Sequence, residues 1–291
     1  MRSALALSLL NIISLLPLGL ARLLGQATGS LMVILKTQSY KVTKRNLSLC
    51  FPHQSQNKLA KQSLCHLGQT FLETPILWRR SSQWREKRII DIEGESYLRE
   101  ALANEKGTIL LVPHQGNWEF LNLWLATQTK ITTLYQPPKM QALGNWIKHC
   151  REKTGASLVP TNVSGVTAML KTLKRAESVV ILPDQQPPKS SGAFAPLFGV
   201  QALTMTLTHN LLKRSDSQVI FCCALREPKG WRLHFLPADQ SIYSQDQDQS
   251  LKAMNAGVES VAALAPEQYQ WEYKRFRARP EGSPAVYGSG V

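Results

Sequence analysis

Four short apolar runs, at residues 108–112, 131–135, 158–160 and 179–182, constrain the fold of this chain more than any other feature. They are rich in aliphatic and β-branched residues and too short to be helices, so they read as buried strands. Between them lie stretches at 118–126, 141–153 and 163–174 with helical spacing of apolar positions. Strands that alternate with helices need crossover connections, which predicts an α/β fold with a largely parallel central sheet flanked by helices. In such a sheet, ligands bind outside the carboxyl ends of the strands. Two of those ends carry chemistry, His114 after the first run and Asp184 after the fourth.

The run before His114 lies between Gly107 and Pro113 and leads into Gln115-Gly116-Asn117-Trp118-Glu119. On one continuous helix, residues five apart stand about 140° apart around the axis, so His114 and Glu119 would not share a face. Gly116 permits a bend, and Asn117 is a preferred N-cap for the helix that follows. The turn is expected to fold Glu119 back towards the imidazole as a dyad that deprotonates an alcohol. The plainer alternative is a strand-end histidine and a first-turn acid placed to suit the helix dipole. Backbone amides near Gly116 and Asn117, or the Arg151 guanidinium, are candidate donors to an oxyanion. Asp184 reads as a headgroup ligand or as a turn cap.

The rest of the chain reads as follows. Helices are expected at 40–49, 56–78 and 96–104, and a strand at 89–93. A Pro/Gly/Ser-rich loop at 187–203 contains the apolar segment Ala193 to Gly199, and its Phe198 suits an acyl-chain wall or lid. Residues 204–213 read as a helix, 219–225 with 231–236 as a hairpin, and 251–264 as a helix. Arg79 and Arg80 with Arg85, Lys87 and Arg88 form a basic cluster, a solvated face or an anionic-headgroup contact.

With 34 Lys and Arg against 20 Asp and Glu among 291 residues, the formal charge is +14, which suits acidic partners. The basic residues are scattered without a nucleic-acid-binding motif, so a membrane surface is the better match than nucleic acid. Residues 3–21 are apolar apart from interruptions at Asn11 and Pro17, and they read as a retained membrane anchor or interfacial helix. The expected layout is an anchor at 1–24, one catalytic domain at 25–282 and a loose tail at 283–291. The cysteines Cys50, Cys65, Cys150, Cys222 and Cys223 have no metal or disulfide spacing and suit a reducing compartment. No metal site is expected.

Four ordered segments resemble the lipid A biosynthesis acyltransferases of the lauroyl/myristoyl class. They are Asn46 to Pro52, the Pro113 to Glu119 turn with its His-x4-Glu spacing, Pro183 to Gln186 followed by Pro196 to Gly199, and Pro266 to Trp271 followed by Lys274 to Phe276. The resemblance implies a glycerol-phosphate-acyltransferase-like fold with an N-terminal membrane-associated helix. It implies a bacterial inner-membrane enzyme, active on the cytoplasmic side, that moves an acyl chain from acyl carrier protein to a hydroxyl of an anionic lipid A precursor. His114 and Glu119 take the catalytic places. Asn117, Arg151, Asp184, Gln185, Phe198, Lys274 and Arg275 are the expected substrate-binding set, with no cofactor beyond the acyl-carrier-protein donor. Where many relatives carry Tyr-Arg-Pro, this chain has Tyr135-Gln136-Pro137, one cation fewer.

A thioester is already activated, so a base and oxyanion donors suffice and no enzyme nucleophile is required. A hydrolase is the rival enzyme class, but the Gly-x-Ser-x-Gly elbow is absent. Transfer to another glycolipid or a lysophospholipid, and a catalytically silent lipid-binding protein, stay open as alternatives.

Overall fold

The computed structural model describes residues 2–53 and 55–288, with side chains from residue 5 onward. Met1 of the expected anchor and residues 289–291 of the expected tail lie outside them. Five helices come first: α1 (Arg2–Leu15), α2 (Leu18–Ile34), α3 (Gln38–Cys50), α4 (Gln56–Arg79) and α5 (Ser82–Glu86). The sheet domain opens with β1 (Ile89–Glu93), α6 (Glu95–Ala103), β2 (Thr108–Leu111) and α7 (Trp118–Gln128). It continues through β3 (Ile131–Tyr135), α8 (Gln141–Glu152), β4 (Ser157–Pro160), α9 (Val163–Lys174) and β5 (Ser178–Ile181). The last elements are β6 (Gly192–Leu197), β7 (Val200–Met205), α10 (Leu207–Leu212), β8 (Gln218–Glu227), β9 (Gly230–Pro237) and α11 (Gln247–Leu264).

Seven strands form one sheet in the order β1-β9-β8-β2-β5-β3-β4. Every pairing is parallel except β8 with β9, so the sheet is mixed and largely parallel, as the alternation of strands and helices requires. Alternate side chains of β2 feed two cores. Ile109 and Leu111 pack with Met169 and Leu173 of α9 and with Val258 of α11. Leu110 and Val112 pack with Leu98 of α6 and with Phe120 and Leu121 of α7. Burying each such aliphatic side chain stabilises the fold by roughly 1.5–3 kcal/mol. Helices therefore cover both faces, and the strand ends are left to carry function.

The 187–203 segment differs from the expected loop. β6 and β7 form an antiparallel hairpin, and its two-residue turn at Phe198 and Gly199 has φ of 50° and 74°. Positive φ at both central positions is the geometry that matches the right-handed twist of a hairpin. The 204–213 helix shortens accordingly, because Thr204 and Met205 end β7. The tail differs too. Val286 is buried, its carbonyl accepts from Arg45, and the Tyr287 hydroxyl donates to Asn46 at 2.6 Å.

The apolar N-terminal stretch breaks at Leu16 and Pro17 into α1 and α2, so the expected boundary at residue 24 falls inside α2. Among the described residues no single helix is long and apolar enough to cross a membrane, although α2 and α3, bent by 81°, pass that test as a pair. Leu5, Leu9, Ile12 and Leu15 of α1 and Leu20, Leu23, Leu24 and Leu31 of α2 are exposed. The other side of α2 lies on α4 with its backbone in near contact: a Cβ on Gly25 would stand 2.5 Å from the Gln69 amide nitrogen. Arg22 does not flank this segment at the surface. It is buried against Glu73 at 2.7 Å and donates to the carbonyls of Glu227, Pro228 and Gly230. Arg85 of the basic cluster is buried as well, donating to the carbonyls of Leu77 and Arg80.

Gly25→Ala is expected to push α2 off α4 and cost about 1–3 kcal/mol, the usual range for an overpacked contact. Thermal unfolding of the purified variant should show a midpoint several degrees lower, and an unchanged midpoint would mean that the two helices separate freely.

Candidate active site

β2 and β5 are paired in parallel with Leu111 opposite Ile181, and the Val112 amide donates to the Ile181 carbonyl. His114 and Asp184 each lie three residues beyond that pair, which brings them level. The Asp184 carboxylate accepts from both the backbone amide and the ring of His114, with Oδ2 to N and Oδ1 to Nδ1 each at 2.8 Å. Burial alone would raise the Asp184 carboxyl, but the imidazole and amide of His114 hold it below its ordinary value. An acceptor at Nδ1 places the neutral ring's proton there and leaves Nε2 as the basic nitrogen. That nitrogen faces the Gln185 amide at 3.1 Å, and the Trp118 ring stands edge-on to the imidazole at 4.9 Å between centroids.

The expected contact between His114 and Glu119 is therefore replaced by one between His114 and Asp184. Glu119 sits in the first turn of α7, where its carboxylate accepts both guanidinium arms of Arg151 and, at 2.9 Å, the Trp78 indole N–H. Burial opposes charge on Arg151, but Glu119 more than offsets it and raises the guanidinium's pKa. His114, Glu119 and Arg151 all border one cavity of about 360 Å³ along β3, walled by Leu123, Ile131, Ile147, Ala156, Leu158 and Leu182. A largely apolar cavity with a few polar groups at one end is the usual form of a site for a greasy substrate.

The turn that positions His114 is pinned on three sides. Gly116, at φ 60°, donates to the Gln268 carbonyl at 2.9 Å, and a Cβ there would stand 2.1 Å from the Ala224 carbonyl oxygen. Asn117 Oδ1 accepts the Phe120 amide at 3.0 Å as the N-cap expected from sequence, and its amide group donates to Glu73 at 2.8 Å. The third tie is the Gln270 amide, which donates to the His114 carbonyl at 3.0 Å. Glu73 accepts from Arg22 and Arg226 as well as Asn117, and these partners outweigh its burial and hold its carboxyl below the ordinary value.

Several expected substrate contacts are committed elsewhere. Asn117 is fully buried in its cap, and the amides of Gly116 and Asn117 are spent on Gln268 and Ala224. The guanidinium of Arg275 is buried and donates to the Leu203 carbonyl at 2.7 Å. Phe198 packs among Phe51, Tyr269 and Trp271 instead of walling the cavity. Lys274 lies over the Tyr287 ring at 5.5 Å. Gln270 and its neighbours on the 266–272 segment are the residues sequence reasoning left out of the site. Their signal was the segment's place in the closing motif, which supplies no distance to the His114 turn.

Over residues 2–278 the sequence matches the family model described as bacterial lipid A biosynthesis acyltransferase. The chain belongs to that family. Its class of activity is acyl transfer. Among curated relatives of this acyltransferase, the lipid A biosynthesis lauroyltransferase of Escherichia coli (strain K12) is 30% identical over 296 residues, 97% of this chain and 94% of the relative. The palmitoleoyltransferase of the same strain is 26% identical, covering 94% and 90% of the two chains. Its myristoyltransferase is 23% identical, covering 83% and 76%.

The acyltransferase's imidazole should carry its neutral-form proton on Nδ1. Nitrogen-15 NMR of histidine-labelled protein at pH 8 is expected to show a protonated Nδ1 and a bare Nε2 for His114, and Asp184→Asn should mix the two tautomers. A wild-type spectrum with the proton on Nε2 would contradict the pairing.

Proposed function

We propose that the protein transfers an acyl chain from an acyl-carrier-protein thioester to a hydroxyl of a lipid A precursor, with His114 as the general base. The observation that carries this reading is the buried carboxylate that holds one imidazole nitrogen while the ring borders an apolar cavity, in a chain of this family. The acceptor hydroxyl takes the place of the Gln185 amide at Nε2. His114 removes its proton as the oxygen attacks the thioester carbon, and the carbonyl π pair moves onto the carbonyl oxygen. When the intermediate collapses the C–S bond breaks with its electron pair on sulfur, and the imidazolium returns the proton there. Asp184 stabilises that imidazolium, a role the sequence assigned to Glu119. Glu119 instead fixes Arg151 at the cavity wall. The donor brings its own activation, so the reaction requires no cofactor.

The acyl chain occupies the cavity along β3, and its volume of about 360 Å³ sets the space available. The +14 charge favours the acidic surface of the carrier protein and the anionic headgroup of the acceptor. The exposed leucines of α1 and α2 seat the protein on a bilayer, with the site on the cytoplasmic side of the inner membrane where the carrier protein is present.

His114→Ala is expected to lower transfer from lauroyl acyl carrier protein by roughly 10²–10⁴-fold while lipid binding persists. Asp184→Asn should fall by a comparable factor, since it loses both the fixed tautomer and the negative charge that stabilises the imidazolium. Mass spectrometry of the lipid product measures both. Transfer unchanged in His114→Ala would end the assignment of the base, and lipid binding without any transfer by the wild type would favour a silent lipid-binding protein.

A further inference from the structure

An oxyanion forms on the thioester oxygen during acyl transfer, and it needs hydrogen-bond donors placed in advance. The donors that the sequence offered are occupied: Gly116 and Asn117 give their amides to backbone carbonyls, and Arg151 is paired with Glu119. His114 also borders a second, water-sized pocket of about 10 Å³, shared with His66, Thr70, Gly116, Gln270 and Glu272. The Oε2 atom of Glu272 is buried there with no hydrogen-bond partner. An ionised carboxylate left so would cost several kcal/mol, so the pocket favours the neutral acid, which is a hydrogen-bond donor.

We propose that Glu272 works as a neutral carboxylic acid that donates a hydrogen bond to the thioester oxyanion, a catalytic residue in the small pocket beside His114. The proposal rests on the acyl-transfer reading above. With the chain in the larger cavity and the thioester carbon at His114, the carbonyl oxygen points into the small pocket that His114 shares with Glu272. Glu272 keeps its proton throughout. It stabilises the charge by hydrogen bonding, and the proton that reaches sulfur is the one His114 took from the alcohol.

The surroundings are consistent with a neutral acid. Burial raises the Glu272 carboxyl to about 7, against smaller lowering by its own backbone amide, the Gln270 side chain and His114. His66 faces it from α4, lowered to about 4 by burial and by Arg226 behind it, and so is uncharged near neutrality. The guanidinium of Arg226 of β8 is turned to Glu73, Thr70 and His66. Burial pushes the Tyr269 hydroxyl well above its ordinary value, so it too stays neutral. The group whose ionisation removes the donor is thus Glu272 itself. As pH rises through about 7 the carboxyl loses its proton, and the oxyanion loses its hydrogen bond.

The test measures kcat and KM from pH 5.5 to 9 for wild type, Glu272→Gln and Glu272→Ala, with lauroyl acyl carrier protein and a lipid A precursor as probes. Glu272→Ala should lose roughly 100-fold in kcat near pH 6.5, the usual effect of deleting one oxyanion donor, with little change in KM. Glu272→Gln keeps an N–H donor, so it should hold most of the activity and lack the fall above pH 7 seen in the wild type. Thermal melting of both variants separates loss of a donor from loss of fold. Equal kcat in Glu272→Ala and wild type, or the same alkaline fall in Glu272→Gln, overturns the role of Glu272 and leaves the His114 reading intact. No transfer by the wild type overturns both.

Discussion

The pair of hydrogen bonds from His114 to Asp184 is the constraint from which the site is built. Two adjacent parallel strands end together, and the residues three positions beyond the paired Leu111 and Ile181 meet. A carboxylate so deeply buried is tolerable because it accepts two N–H groups from one residue, and charge-assisted bonds of this kind are the strong ones. The backbone bond fixes where the turn leaves the strand, and the ring bond fixes the tautomer. One side chain thus sets the position of the imidazole and the tautomer of its neutral form.

A second buried carboxylate does the same for the helix that follows. Glu73 of α4 is held between Arg22 of α2 and Arg226 of β8, and it accepts the amide of Asn117, the residue that caps α7. The helix pair with exposed leucines on its outer side is therefore joined through one ion cluster to the turn that carries His114. Removing one member would leave a charge without its partner, a loss of about 3–5 kcal/mol for a buried pair.

Much of this was legible in the sequence, for reasons that particular residues make clear. The runs at 108–112 and 179–182 announced strands, and an α/β sheet follows from their spacing with helices. The N-cap at Asn117 and the bend at Gly116 were readable because both are local effects of backbone geometry. Choosing the carboxylate that reaches His114 required the strand order, which no local pattern contains. Glu119 is five residues away in sequence, while Asp184 is seventy away and next door in space. The β6–β7 hairpin was hidden by its prolines and glycines, whose composition signals a loop whether or not its backbone pairs. Arg275 misled for a different reason: an arginine in a basic run suggests a surface, yet a guanidinium can be buried where carbonyls such as that of Leu203 face it.

The imidazole borders two cavities of very different size, and both bear on how acyl transfer would be driven. Along β3 the cavity offers more apolar than polar wall, which suits a chain that gains by leaving water. Behind the ring, Gln270 and Glu272 bring polar atoms into a space about the size of one water molecule. A cation there would attract the substrate's ground-state dipole and any stray anion alike. A neutral donor has little to gain until negative charge develops on oxygen, so its stabilisation falls mainly on the transition state, where it accelerates the reaction. Commitment of the Arg151 guanidinium to Glu119 is consistent with that logic. The arginine shapes the cavity wall, and Glu272 is the neutral group proposed to meet the charge formed during transfer.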